Sequence, residues 1–305
     1  MSSWRIVFLG TPDFAVESLK ALLQAGYNVV GVVTAPDKRA GRGQKLSESA
    51  VKQYAQEQGL PILQPLKLKD PEFIAQLSAL KPDLQVVVAF RMLPETVWNL
   101  PPQGTVNVHG SLLPKYRGAA PINWAILNGE KETGVSTFKL QHEIDTGDIL
   151  LQEKMPIGPN ETAGELHDRM KVEGAQLLVK TLRELASGTL KASPQQLNSD
   201  TKHALKLFKT DCEIDWNNTS EQIHNQIRGL SPYPTAFTVL GDKTLKIFSA
   251  EIEPGKPEIP AGTFSSDHKS YLKFAATDGY LSLKEMQLEG KKKMGIEEFL
   301  RGIRL

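Results

Sequence analysis

Cysteine is almost absent from this chain of 305 residues, in which Cys212 stands alone. One thiol cannot form an internal disulfide or a thiolate metal site, and no histidines show the H-E-x-x-H spacing of a zinc site. No apolar run approaches the length of a membrane-spanning helix, and the N-terminus leads directly into RIVFLG without a signal-peptide pattern. We therefore expect a reduced, soluble, cytoplasmic protein without a bound metal.

An excess of charge of one sign is also missing, since the formal net charge is only +1. No overall electrostatic field points to nucleic acid, so such a partner would have to be held by local basic patches. Two patches are present: the segment from Lys38 to Lys45 contains four cations and no acid, and Lys291, Lys292 and Lys293 are consecutive. The simpler interpretation of either patch is a solvated face.

The spaced glycines of a dinucleotide fingerprint are absent as well. The turn after the first apolar run is GTPDFA, in which only Gly10 is a glycine. Because Pro12 and Asp13 occupy the middle of this turn, a pyrophosphate could not approach the backbone closely. The pattern therefore disfavours a nicotinamide or flavin dinucleotide site.

In the first half of the chain, buried β-branched runs alternate with segments of helical period. Strands are predicted at 5–10, 28–34, 84–89 and 105–109, with helices beginning near Pro12, Ser47 and Pro71. This alternation is typical of an α/β fold with a mostly parallel sheet and crossover helices. We predict a first domain over residues 1–188.

The remainder of the chain has a different pattern. Residues 189–206 lose periodicity and collect Ser, Pro, Gln, Asn and Asp, which predicts a linker. Beyond it, short alternating runs occur at 236–240, 245–252, 271–275 and 281–286. These runs predict a small β-barrel domain over residues 207–305.

Three polar residues are candidates for chemistry. Asn107 and His109 are two apart in TVNVH, so in an extended strand they share one face. Asp145 precedes Thr146 and Gly147 further along the chain. By themselves these residues have plainer interpretations, a satisfied core histidine and a turn aspartate.

The surrounding sequence favours the chemical interpretation. NVHGSLLPKYRG begins at Asn107 and is followed by AAPINWAILNGE and ETGVSTFKLQHEIDTGDILLQ. This stretch resembles the folate-dependent formyltransferases, with their Asn-x-His, their SLLP-x-x-R-G loop and their downstream Asp-x-G. GTPDFA, APDKRAGRGQKL and LFKTDCEIDWNNTSEQIHNQIRGLSPYPTAF resemble the branch that acts on methionyl-tRNA, and the resemblance spans essentially the whole chain.

The resemblance implies an activity and a fold. A formyl group would pass from 10-formyltetrahydrofolate, a consumed cosubstrate, to the amino group of initiator methionyl-tRNA. The N-terminal domain would be Rossmann-like, and the C-terminal domain would be an OB-like barrel that binds tRNA. We expect the protein to be a monomer and to make no membrane contact.

The resemblance assigns catalysis to Asn107, His109 and Asp145, and the reaction needs these residue types. When an amine attacks a formyl carbon, negative charge develops on oxygen, and Asn107 and His109 can both donate hydrogen bonds to it. The attacking nitrogen must lose a proton while the folate nitrogen gains one, which suits an imidazole beside a carboxylate. We expect Asp145 to orient His109, favour its charged form and help receive the proton. No covalent formyl-enzyme is needed, because both substrates can be held together.

Further residues are assigned to binding. The resemblance implies a folate site made by Ser111, Leu112, Leu113 and Pro114 of the SLLP loop together with Phe90, Met92 and Leu93. Arg91 departs from the family pattern, which usually has a glycine after the aromatic residue. The residues predicted to bind tRNA are Arg39, Arg42, Lys45, Lys291, Lys292 and Lys293.

Other functions share parts of this pattern. Ser111, His109 and Asp145 are also the components of a hydrolytic triad, although the G-x-S-x-G context of a nucleophile elbow is absent. A formyltransferase for a sugar nucleotide or small amine would share the three catalytic residues without needing the GRG loop. A folate hydrolase would use them without an amine, and a noncatalytic tRNA-binding module would not need them.

Overall fold

The protein is described from a computed structural model. The structure describes residues 4–40, 45–197 and 201–302. Within these ranges, no helix is long and apolar enough to span a bilayer.

The strands of the structure, in chain order, are β1 (Arg5–Gly10), β2 (Asn28–Val33), β3 (Lys38–Ala40), β4 (Lys45–Ser47), β5 (Ile62–Leu63), β6 (Leu84–Val88), β7 (Thr105–His109), β8 (Arg117–Gly118), β9 (Glu132–Lys139), β10 (Ile149–Pro156), β11 (His203–Ala204), β12 (Ala236–Leu240), β13 (Lys243–Pro254), β14 (Phe264–Ser266), β15 (Leu272–Ala275), β16 (Gly279–Leu288) and β17 (Met294–Gly295). The α-helices are α1 (Asp13–Gln24), α2 (Ala50–Glu57), α3 (Pro71–Ala79), α4 (Glu95–Trp98), α5 (Pro121–Leu127), α6 (Ala163–Ala186), α7 (Ser220–Gly229) and α8 (Ile296–Gly302). A short 3₁₀ helix spans Lys209–Cys212.

The chain divides into two compact units. Unit 1 consists of the chain up to Gly118 together with Gly134–Met155 and His167–His203. Unit 2 consists of Ala119–Thr133, Pro156–Leu166 and the chain from Ala204 onward. The domain limits expected from the sequence, at 188 and 207, draw the boundary differently and stay a prediction.

The larger sheet has seven strands in the order β10-β9-β7-β6-β1-β2-β5. Each adjacent pair from β5 to β7 is parallel, and β9 runs antiparallel to β7. Five of the six residues of β1 are buried, as expected for a central strand whose faces are both covered. This sheet confirms the predicted mostly parallel α/β architecture.

Local sequence explains where the helices of unit 1 begin. Ser49 caps α2 by accepting a hydrogen bond from the Lys52 N–H, and Asp70 caps α3 by accepting from the Glu72 N–H. Pro71 then occupies the first turn of α3, where its missing N–H costs nothing. The buried side chains of this helix belong to the same apolar cluster as Leu9 of β1 and Val87 of β6.

A short hairpin, β3–β4, precedes α2 and was not predicted from the sequence. Its antiparallel register pairs Lys38 with Ser47. Because β4 extends to Ser47, α2 begins at Ala50 and not at the predicted Ser47. Arg42 and the other residues between Ala40 and Lys45 lie outside the described part of the chain.

Unit 2 contains a sheet in the order β12-β13-β16-β15-β14, with β17 added beside β16. Its strand pairs are antiparallel, and register shifts after Ile247 and after Ser249 bend the long strand β13. Trp216 stacks on Phe274 with ring centroids 4.7 Å apart inside the core. This curled antiparallel sheet confirms the predicted β-rich region at the four expected runs.

Candidate active site

Strand β7 carries Asn107 and His109 as alternate residues, so they share one face of the sheet. Across the antiparallel partner β9, Asn107 lies opposite Phe138 and His109 opposite Ser136. Asn107 is half-buried, and its side-chain amide makes no hydrogen bond to any residue that the structure describes. Its two N–H donors are therefore available to a bound molecule.

The two ring nitrogens of His109 have different surroundings. Nε2 lies 2.9 Å from the Tyr116 carbonyl oxygen. A carbonyl can only accept, so Nε2 must carry the hydrogen of this bond. In the neutral ring, Nδ1 is then left with its lone pair, and it lies 3.9 Å from Oδ2 of Asp145. This nitrogen can receive a proton beside a carboxylate.

Asp145 sits in a turn that holds its carboxylate near His109. Its backbone is in the left-handed region, with φ of 55°, which is uncommon for a residue other than glycine. Oδ2 accepts a hydrogen bond of 2.9 Å from the Gly118 N–H. The carboxylate therefore receives a backbone donor while it faces the imidazole.

The packing of the turn explains why the third residue of the Asp-Thr-Gly sequence, Gly147, is a glycine. A Cβ atom at this position would lie 1.6 Å from the Lys139 carbonyl oxygen, which is an impossible contact. The turn therefore packs its backbone directly on β9, and Thr146 Oγ1 donates to the Glu143 carbonyl at its other side. Only glycine allows this close approach.

Ser111 is fully buried and does not form a triad with His109. Its hydroxyl donates a hydrogen bond of 2.6 Å to the Lys115 carbonyl oxygen. This bond stabilises the loop between β7 and β8 and directs the hydroxyl proton away from the imidazole. Among the described residues, the geometry that a hydrolytic nucleophile needs is therefore missing.

The residues predicted to bind folate lie in two loops of unit 1. In the SLLP loop, Leu113 is buried, whereas Leu112 and Pro114 are half-buried. Leu112 and Pro114 are therefore better placed than Leu113 to contact a ligand with their side chains. In the loop after β6, Met92 is 76% exposed and Leu93 is half-buried. Both of these residues line a groove of about 1140 Å³.

This groove combines an apolar lining with positive charge. Lys67 and Lys69 are among its lining residues, and neither makes an ion pair with a described carboxylate, while Glu95 also lines the groove. His142, three residues before Asp145, also lines it. Leu68, Ile74 and other apolar side chains complete its walls. Such a groove suits a flat, partly apolar molecule with a negatively charged end.

Arg91, which departs from the expected glycine, does not fill the groove as a free cation. Its guanidinium donates to the Leu66 carbonyl at 3.0 Å and also to the Pro65 carbonyl, and it lies 5.6 Å from the centre of the Phe90 ring. Partial burial lowers the pKa of this guanidinium. Arg91 thus ties the loop after β6 to the segment that precedes α3.

The residues predicted to bind tRNA fall in both units. The backbone of Arg39 is part of β3 and that of Lys45 is part of β4, whereas Arg42 lies outside the described residues. In unit 2, Lys292 makes an ion pair of 3.1 Å with Glu298, and Lys293 makes one of 2.9 Å with Glu285. Lys291 is exposed. Two of the three lysines are thus partly neutralised by neighbouring acids.

One group of side chains in the described part of the chain could coordinate a metal ion. Asp13, His167 and Asp168 place one ligand atom each within 4.8 Å of the others. Lys171 Nζ already lies 2.8 Å from Asp168 Oδ1 and 3.5 Å from Asp13 Oδ2. A lysine ammonium therefore supplies the positive charge between these carboxylates.

Two features of the site were not visible in the sequence. The Tyr116 carbonyl that fixes the His109 ring is a backbone atom, so no side-chain pattern reveals it. Gln195 donates to the Asp145 and Gly147 carbonyls, although it lies in the predicted linker. A lone glutamine in a polar segment has no distinguishing spacing.

Comparison with known proteins places both halves of the chain among the formyl transferases. The sequence profile of the formyl transferase family matches residues 4–182, and that of the formyl transferase C-terminal domain matches residues 206–304. Methionyl-tRNA formyltransferase from Parabacteroides distasonis is 53% identical over 98% of this chain and 96% of its own. The protein of the same name from Flavobacterium johnsoniae is 48% identical over 99% of this chain and 97% of its own.

Solved structures agree with the fold. An N-formyltransferase from Helicobacter canadensis, in complex with folinic acid and dTDP-3-aminofucose, covers 95% of this chain and 100% of its own with a TM-score of 0.67. WlaRD, a sugar 3N-formyl transferase solved with dTDP and 5-N-formyl-THF, covers 96% of this chain and 100% of its own with a TM-score of 0.67. Each is 22% identical, so these likenesses concern the fold alone.

Proposed function

The chain belongs to the methionyl-tRNA formyltransferase family, and from that premise we propose that Asn107, His109 and Asp145 carry formyl transfer from 10-formyltetrahydrofolate to the amino group of initiator methionyl-tRNA. Family membership makes the protein an enzyme that formylates methionyl-tRNA. We place its action in the cytoplasm, where translation begins. The monomeric state stays a prediction.

One contact supports the catalytic assignment most strongly. His109 Nδ1 faces Asp145 Oδ2 at 3.9 Å while Nε2 is engaged by the Tyr116 carbonyl. The ring therefore has one nitrogen for proton transfer, and that nitrogen lies beside a carboxylate. An imidazolium formed there would be stabilised by the opposite charge.

In the proposed reaction, the amine nitrogen of methionyl-tRNA attacks the formyl carbon, and the carbonyl electron pair moves onto oxygen. The Asn107 amide donates a hydrogen bond to that oxygen as its negative charge develops. Removing one such donor typically costs about 10²- to 10³-fold in kcat. Asn107 fits this role because its N–H groups have no partner among the described residues.

Proton transfer completes the exchange. The attacking nitrogen releases a proton to His109 Nδ1, and Asp145 stabilises the resulting imidazolium. The bond between the formyl carbon and the folate nitrogen then breaks, and that nitrogen receives a proton from the imidazolium. Formylmethionyl-tRNA and tetrahydrofolate leave, with no net change in protons and with no covalent formyl-enzyme.

We propose that the folate cosubstrate uses the groove beside Met92 and Leu93. The apolar walls would pack on the aromatic parts of the molecule, and Lys67 and Lys69 would lie near the carboxylates of its glutamate end. Phe90 and the SLLP loop would complete the site. The Arg91 side chain leaves this path open because it is bound to the carbonyls of Pro65 and Leu66.

The folate placement is tested with the double variant Lys67→Ala and Lys69→Ala. We expect a several-fold higher KM for 10-formyltetrahydrofolate with the KM for tRNA unchanged, since two attractive charges are removed. The control is Lys20→Ala, which removes a half-buried lysine on α1 that lies 3.9 Å from Glu17. An unchanged folate KM in the double variant would argue against this placement.

We propose that the tRNA acceptor end meets the cations of the segment from Lys38 to Lys45, while Lys291, Lys292 and Lys293 add weaker contacts. The first segment has no acid and contains glycines that let a backbone approach phosphate. The second patch shares its charge with Glu285 and Glu298.

The deciding experiment compares acceptors. Purified enzyme with 10-formyltetrahydrofolate is offered charged initiator tRNA, free methionine, an amino-sugar nucleotide or water, and both formyl product and tetrahydrofolate are measured. We expect formylation of the tRNA alone, and near-complete loss of it in His109→Ala. Preferred transfer to the sugar nucleotide, or tetrahydrofolate release without acceptor, would contradict the proposed function.

A further inference from the structure

Gln195 lies between α6 and β11 in a segment whose composition suggested only a linker. In the structure this segment is attached to unit 1. Ser193 exchanges two backbone hydrogen bonds with Ile149, of 2.8 and 2.9 Å. That bridge fixes the backbone two residues before Gln195, which is itself half-buried. The segment therefore has a defined path where it passes the candidate site.

The Gln195 side chain uses its full hydrogen-bonding capacity. Nε2 donates to the Asp145 carbonyl at 2.9 Å and to the Gly147 carbonyl at 2.7 Å. Oε1 accepts from Arg117 Nε at 3.0 Å and from Arg117 Nη2 at 2.6 Å. Carbonyls only accept and a guanidinium only donates, so these partners allow one orientation of the amide.

The partners of Gln195 belong to two segments of the candidate site, with Arg117 in one and Asp145 and Gly147 in the other. Arg117 begins β8 directly after the loop whose Tyr116 carbonyl accepts from His109 Nε2, and the Gly118 N–H donates to the Asp145 carboxylate. Asp145 and Gly147 belong to the turn that presents the carboxylate. Gln195 thus joins the loop that fixes the imidazole to the turn that fixes its acidic partner.

The turn needs such a restraint. Asp145 has a φ of 55°, which is uncommon for a residue other than glycine, although aspartate adopts it more readily than most. The Gln195 amide binds carbonyl groups on both sides of Thr146, so it holds the turn at two points. Without these bonds, the turn would keep the Gly118 and Thr146 hydrogen bonds but lose two of its restraints, and the carboxylate could shift relative to His109 Nδ1.

We propose that Gln195 is a positioning residue for formyl transfer, which holds the Asp145 turn and Arg117 together so that the Asp145 carboxylate faces His109 Nδ1. This inference rests on the proposed roles of His109 and Asp145. Gln195 contacts neither the imidazole nor a reacting atom. Its effect is on the geometry of the groups that do.

The test compares Gln195→Ala with Gln196→Ala, its sequence neighbour. Gln196 is exposed, and its side chain makes no hydrogen bond to a described residue. We expect Gln195→Ala to lower kcat by about 10- to 100-fold, the scale of a small misplacement at a reacting centre, with the KM values for folate and tRNA within about twofold of wild type. Gln196→Ala should match wild type.

A second variant separates positioning from packing. Gln195→Glu keeps the size of the side chain and an acceptor for Arg117, but it cannot donate to the Asp145 and Gly147 carbonyls. We expect its kcat to fall at least as far as that of Gln195→Ala, with a circular dichroism spectrum like that of wild type. Wild-type kcat in Gln195→Glu, or a loss confined to KM in both variants, would overturn the inference.

The variant Asp145→Asn distinguishes failure of the Gln195 inference from failure of the proposed function. If Asp145→Asn is impaired while Gln195→Ala has wild-type kcat, only the role of Gln195 is refuted. If Asp145→Asn also keeps wild-type kcat, the catalytic assignment on which the inference rests is wrong.

Discussion

His109 illustrates how one hydrogen bond assigns a task to a side chain. The imidazole could use either nitrogen in solution, but the Tyr116 carbonyl at 2.9 Å engages Nε2 as a donor. Nδ1 then remains for the proton that moves in the proposed reaction. The residue identity supplies an imidazole, and the backbone around it selects which of the two ring nitrogens is available.

Ser111→Ala is predicted to retain most of the formyl-transfer activity. The hydroxyl donates to the Lys115 carbonyl and is not directed at His109. Its removal therefore weakens a contact within the loop but does not remove a nucleophile. We expect kcat within about tenfold of wild type, because a single neutral hydrogen bond contributes roughly 1 kcal/mol. Steady-state kinetics measure this, and Ser111→Cys serves as a variant of similar size. A loss of activity as complete as that in His109→Ala would instead favour the hydrolytic-triad interpretation.

Gly147→Ala is predicted to damage the Asp145 turn. The new Cβ would meet the Lys139 carbonyl, a backbone atom that cannot rotate away, so the turn must shift. We expect a loss of stability of about 1–3 kcal/mol together with a large fall in kcat. Urea unfolding and kinetics measure the two effects.

Gly188→Ala is the matched control for that turn. Unlike Gly147, Gly188 has a positive φ, of 70°, and no atom lies within 4 Å of the position that a Cβ would occupy there. Substitution at this site should cost about 1–2 kcal/mol of backbone strain without changing kcat. Equal kinetic losses in the two variants would mean that the contact with Lys139 does not determine the effect.

Helix α7 shows how a single element can confer pH dependence on stability. His224 is 8% exposed, and burial together with the nearby Arg228 charge lowers its pKa from the usual 6.5. A capping box between Thr219 and Gln222 holds the start of this helix. The imidazole is therefore kept neutral in the folded protein at a pH where the unfolded chain begins to bind a proton.

The sign of this effect follows from proton binding. Between the lowered folded pKa and 6.5 the unfolded state binds more protons, so the free energy of unfolding falls as pH decreases through that window. We predict that His224→Gln flattens this dependence below pH 6.5. Urea unfolding at several pH values measures it, with the exposed His203→Gln as control. An unchanged slope in His224→Gln would contradict the prediction.

At the scale of the whole molecule, the enzyme must bind a polyanion although its formal net charge is only +1. Binding must therefore depend on local patches, which release counterions from the tRNA backbone and make affinity salt-dependent. Unit 2 supplies little free charge from its lysine patch, because Lys292 and Lys293 pair with Glu298 and Glu285. We expect the larger electrostatic contribution from the segment between Lys38 and Lys45.

Arg42→Ala is predicted to raise the KM for tRNA and leave the KM for folate unchanged. If Arg42 neutralises one phosphate, the slope of log affinity against log salt should fall by about 0.9. Kinetics at several salt concentrations measure this change. Lys20→Ala is the control, since it removes a half-buried cation on α1. The same salt slope in both variants would argue against a phosphate contact at Arg42.

The pattern of residues along the chain was sufficient to predict the architecture of the main sheet and of the β-rich region. Apolar runs of strand and helix period located β1, β2, β6 and β7, because burial of these side chains is what stabilises the elements. The same pattern did not show the β3–β4 hairpin, since three-residue strands have too few side chains to establish a period.

The assembly of the candidate site depends on the folded chain and could not be read from residue order. The distance between His109 and Asp145, the choice of Nε2 as donor and the bonds of Gln195 all join residues that are far apart in the chain or involve backbone atoms. Sequence spacing carries information about neighbours along one element, but not about carbonyls that another segment presents. Residue identity therefore specifies which chemical groups are available, and packing specifies which of their atoms meet.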